Sequence, residues 1–220
     1  MRCRGPCFWP PCSTERWPET NEVLPGLLKG IEGFSLMRAE IDGIELSPEN
    51  RWRLLIILSR HNADDIEELL KAEIERDSSD FGQRNLLSAR AAAPNLANKE
   101  QWVSELQNPN LLTSLAKQRA VMAELFPATQ TDLQLKVLPQ LLSALPQMSR
   151  EADPYFLTSY TEGLFTPMCR PDSGALMQAT LDEFGEQLNP TALRFIREAH
   201  QLDVECQSLR RIKGVEPNFE

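Results

Sequence analysis

Histidine and glycine are scarce in this chain, and long apolar runs are missing. Its 220 residues include two histidines, His61 and His200, and ten glycines. Neither histidine is followed by glutamate, so no H-E-x-x-H zinc helix exists. No G-x-S-x-G elbow, G-x-x-x-x-G-K-[ST] loop or G-x-G-x-x-G turn occurs either. Nucleophile-elbow hydrolases, P-loop enzymes and dinucleotide-binding enzymes are thereby excluded. The longest apolar block near a helix core runs only from Leu54 to Leu58, far short of the ~18 residues that a spanning helix needs. Basic residues are outnumbered, with 23 Lys and Arg against 32 Asp and Glu, a net charge of −9. A chain with a pI of about 4.9 and no basic patch repels phosphate backbones, so neither nucleic acid nor a membrane is an expected partner.

What the chain has in quantity is amphipathic helix. From residue 47 onward, segments of helical period alternate with short breaks at Pro, Asn, Asp or Gly. Ser47 caps a first helix, with Pro48 at its first position and Trp52, Leu55, Ile56 and Ser59 on one face. Asn62 or Asp64 opens a second, with the stripe Ile66, Leu69, Leu70 and Ile74, acidic first turns and Arg76 at its end. A third runs from about Asp80 to Ala93 and stops at Pro94. Asn98 caps a fourth, with Trp102, Val103 and Leu106 inward, before the break at Asn108-Pro109. Leu115 to Phe126 is a fifth, and Thr131 opens a sixth, with a kink or early break expected at Pro139. Asp153-Pro154, Ser173 and Asn189-Pro190 start three more, the last reaching about Arg211 before a stop at Gly214. The segment Phe34 to Leu46 reads as either a short strand or an irregular loop.

About nine helices joined by short breaks imply antiparallel neighbours. The expected fold is all-α, with antiparallel helix pairs stacked as an armadillo/HEAT-like superhelix of degenerate repeats; a helical bundle is the alternative. The domain reading is an irregular leader over 1–22, one helical-repeat domain over 23–214 and a tail over 215–220.

The leader is compositionally foreign to the rest. It holds Cys3, Cys7, Cys12, Trp9 and Trp17, and prolines at 6, 10, 11 and 18 interrupt any secretory apolar stretch. Three cysteines at these gaps fall short of the four paired ligands that structural zinc takes. Cys169 and Cys206 lie far apart on predicted helices and are expected to be buried free thiols in a reducing compartment. His61 falls at a helix end, where a histidine suits the last carbonyls, and His200 falls mid-helix. The carboxylates Asp64/Asp65 and Glu67/Glu68 spread over a solvated helical face. Arg84, Arg90, Arg119, Arg194 and Arg197 could grip a carboxylate on an inner face, or simply form surface ion pairs. Trp52, Trp102, Tyr155, Phe156 and Tyr160 read as core.

Several runs occur in a specific order: Gly43-Ile44-Glu45-Leu46, Arg51-Trp52-Arg53-Leu54-Leu55, Glu73-Ile74-Glu75-Arg76-Asp77, Gly82-Gln83-Arg84 and Ala89-Arg90-Ala91-Ala92-Ala93-Pro94. With Lys99, Trp102 and Asp153-Pro154-Tyr155-Phe156 they resemble the C-terminal helical domain of the zinc aminopeptidase N family, over roughly residues 27 to 213. The resemblance implies a helical superhelix that closes over a separate metallopeptidase domain and encloses peptide substrates. The family's hydrolase machinery, a zinc-binding H-E-x-x-H helix and a Gly-Ala-Met-Glu-Asn segment, is absent from this sequence. So no catalytic, cofactor or metal residue carries over; zinc is expected in the catalytic domain, and no peptide-binding residue can be named. Family members are several times longer, which makes a fragment, an expressed domain or a broken reading frame the expected origin. The expected partners are an aminopeptidase catalytic domain and peptides, with self-association through an exposed docking face. The expected compartment is the cytoplasm. The competing expectation is a free-standing helical-repeat adaptor for a protein or peptide.

Overall fold

The computed structural model describes residues 46–108 and 112–213, together with three short strands upstream. These are β1 (Phe34–Ser35), β2 (Glu40–Ile41) and β3 (Ile44–Glu45), paired antiparallel in the order β1-β2-β3. Ile41 pairs with Ile44 and Glu40 with Glu45. The strand alternative for this segment therefore holds.

Ten α-helices follow among the described residues. They are α1 (Pro48–Arg60), α2 (Ile66–Arg76), α3 (Asp80–Ala92), α4 (Leu96–Gln107), α5 (Leu115–Leu125), α6 (Thr131–Ser143), α7 (Leu145–Glu151), α8 (Pro154–Leu164), α9 (Pro171–Phe184) and α10 (Pro190–Lys213). They pack in two rows. One row runs α1, α3, α5, α8, α10, each helix against the next. In the other, α6 packs against both α4 and α9, while α2 lies against α1 and α3. Apart from α7, which packs on α6, helices adjacent in sequence thus alternate between rows.

The caps explain most boundaries. Ser47 accepts from the Asn50 amide, and Pro48 occupies the first turn of α1, where its missing N–H costs nothing. Asp153 accepts from the amides of Tyr155 and Phe156 at the start of α8. Asn95, rather than Asn98, caps α4: its side chain accepts from the Asn98 amide at 3.2 Å. The Asn98 side chain instead donates to the Arg90 carbonyl at 3.0 Å, closing the end of α3. Asp65, in a left-handed conformation (φ 61°), precedes α2. The expected break at Pro139 is displaced. Pro139 sits on the exposed side of α6, which continues to Ser143, and the chain restarts as α7 at Leu145-Pro146. A proline whose ring faces solvent removes one helical hydrogen bond without colliding with a neighbouring helix. Likewise α9 begins at Pro171, and Ser173 is a buried residue of its first turn.

Two apolar clusters form. Trp52, Leu55, Leu70 and Ala89 make a small one within α1–α3. A larger one reaches from Ala91 on α3 through Leu106, Leu125, Leu138, Leu141, Tyr160 and Ile196. Of the five aromatics read as core, Trp52, Trp102 and Tyr160 are buried. Tyr155 is a correction: it is 71% exposed, because it lies in the first turn of α8 on the solvent side.

The free-thiol expectation is also corrected. Cys169 and Cys206 form a disulfide, with Cα atoms 5.4 Å apart and a sequence separation of 37. Cys169 is not helical; it lies in the turn before α9, which folds back onto α10. Sequence separation concealed that return. In the chain-entropy treatment a closed loop of this size contributes about 4 kcal/mol. The pairing also removes one ground for expecting a reducing compartment. Cys3, Cys7, Cys12 and Gly214 lie outside the described residues.

Candidate functional site

A groove of about 400 Å³ opens between α4, α5, α7 and α8. Leu106, Met148 and Phe156 supply its apolar floor, with Ala144 and Ala152 beside them. Its polar lining is Gln107, Asn108, Gln118, Gln147, Glu151 and Asp153. No lysine or arginine is among the lining residues.

Each glutamine is held by its nitrogen. Gln107 Nε2 donates to the Gln140 carbonyl at 3.2 Å and contacts the Tyr160 hydroxyl at 3.1 Å. Gln118 Nε2 donates to the Leu112 carbonyl at 3.4 Å. Gln147 Nε2 donates to Glu151 Oε2 at 2.8 Å. Acceptors on the far side fix the amide orientation in all three cases, since a flip would oppose two oxygens. Tyr160 itself is fully buried, and burial pushes its phenol above the usual range against the Gln107 hydrogen bond. It serves as a neutral anchor beneath the groove.

A second, smaller concavity of about 260 Å³ is lined by Arg60, His61, Pro94, Thr129 and Gln130. His61 caps the end of α1, as its position in the sequence suggested. Gln130 is 5% exposed and donates to the carbonyls of Arg60 and Ala92. Arg60 pairs with Glu124 at the same level.

The arginines do not converge. Arg84 pairs with Asp80 on its own helix, Arg90 with Glu67, and Arg194 with Glu198. Arg119 donates to Ser159 at 2.8 Å, and Arg197 is exposed on α10. His200, on α10, lines neither concavity. Among the described residues no group of three or more His, Cys, Asp and Glu side chains comes together to hold a metal ion.

Sequence reasoning missed the groove because its lining comes from four helices. It reads Phe156 as core and Asp153 as a helix start, whereas Phe156 is half-buried and both line the groove. The residues behind the resemblance have a different role: they brace the scaffold. Arg51, 9% exposed, donates to Glu73 at 2.7 Å and to the Leu46 carbonyl at 2.6 Å. The Trp52 indole donates to Asp77 Oδ2 at 2.9 Å. Hydrogen bonds from the Ser79 hydroxyl and then the Trp52 indole hold the Asp77 carboxyl below its ordinary pKa. A Cβ on Gly82 would collide with the Asp77 carbonyl oxygen, so the α2–α3 turn requires glycine there. Lys99, wholly buried, donates to the Ala91 carbonyl at 2.7 Å, closing α3 from α4.

The arrangement defines a class: an all-helical stack of ten α-helices among the described residues, with a groove between four of them. No known family model matches the sequence. Over 125 residues it is 32% identical to Aminopeptidase N of Streptomyces lividans, a match that takes in 55% of this chain. The match spans only 13% of that protein's length.

Proposed function

We propose that this chain is the C-terminal, substrate-enclosing helical domain of a zinc aminopeptidase of the aminopeptidase N type. It would act with a catalytic domain rather than cleave peptides itself. The 32% identity to Aminopeptidase N over 125 residues carries the reading. The two-row packing supports it, because helix pairs stacked in this way build armadillo/HEAT-like superhelices with a concave side. Such a cover limits substrate length, keeps folded proteins out and completes the site on closing. The cytoplasm remains the proposed compartment; no described helix is long and apolar enough to cross a membrane.

Two measurements test this. The purified chain is expected to leave aminoacyl-anilides intact, and efficient hydrolysis by metal-free protein would overturn the proposal. An antibody against the chain is expected to precipitate an H-E-x-x-H polypeptide from the source cells, either fused to it or bound. Recovery of an unrelated partner alone would favour the helical-repeat adaptor.

A further inference from the structure

We draw no further inference here: the strongest candidate, the concavity at the ends of α1 and α3 lined by Arg60, His61, Pro94, Thr129 and Gln130, carries nothing, because its unpartnered buried acceptor, Gln130 Oε1, is sealed from solvent and nothing else in the structure points to a ligand there.

Discussion

Lys99 is a buried cation where α4 crosses the end of α3. It is wholly buried, and its ammonium reaches the Ala91 carbonyl without a direct carboxylate partner. Burial lowers its pKa to about 7, with the charge of Glu124 opposing the shift. The unfolded chain keeps the ordinary value of 10.5. Between these two pH values the unfolded state binds a proton that the folded state has released, so stability rises with pH across that window. Below pH 7 both states are charged and the full desolvation penalty stands. Lys99→Met is expected to flatten the rise between pH 7 and 9.5, which has a limit of about 1.4 kcal/mol per pH unit. Urea unfolding at half-unit pH steps checks this; an unchanged slope in the variant would place the titration elsewhere. The raised phenol of Tyr160 does not interfere, because it destabilises the fold only above pH 10. Lysine at this position was visible in the sequence as part of a family pattern, but its burial was not. It follows from α4 crossing the end of α3, a tertiary fact.

Among the elements, the turn between α8 and α9 is tied down most heavily. Asp203 on α10 is fully buried, and one of its oxygens accepts from the amides of Met168 at 2.6 Å and Cys169 at 2.7 Å. The Ser173 hydroxyl meets its other oxygen. One turn further along α10, Cys206 bonds to Cys169, and Gln207 donates to the Arg170 carbonyl at 3.0 Å. The same face of α10 thus holds a turn in which Cys169 adopts a left-handed φ of 59°. Asp203→Ala would leave two buried amides without acceptors, at about 1–3 kcal/mol each. Amide hydrogen exchange at Met168 and Cys169 is expected to speed up severalfold with the disulfide intact. Unchanged protection would mean that the disulfide alone holds the turn. Local elements such as the Ser47-Pro48 and Asp153-Pro154 starts were legible because a cap and its helix are neighbours in sequence. The groove was not, since its donors and acceptors are matched across helices 33 and 53 residues apart. Asn98 shows the boundary between the two: its side chain serves the preceding helix, a role that spacing alone cannot assign.

At the scale of the whole molecule, the proposed superhelix would make the packing nearly one-dimensional. Each helix of the α1, α3, α5, α8, α10 row touches its neighbours in the row, and α3 contributes to both apolar clusters, Ala89 to the small one and Ala91 to the large one. Stability in such a stack is a sum of unit and nearest-neighbour contributions, so damage at one end need not reach the other. Trp52 is the natural place to inflict it. It is the largest side chain of the small cluster, 0% exposed, and its indole holds Asp77. Trp52→Ala is expected to cost about 3–5 kcal/mol within α1–α3. Hydrogen exchange should then lose protection in α1–α3 while α8–α10 keep theirs, and the variant's thermal transition should split. Uniform loss of protection along all ten helices would show instead that the chain folds as one cooperative bundle. It would also count against the stacked superhelix on which the enclosing role depends, because a cover built from repeats carries its curvature in separable interfaces.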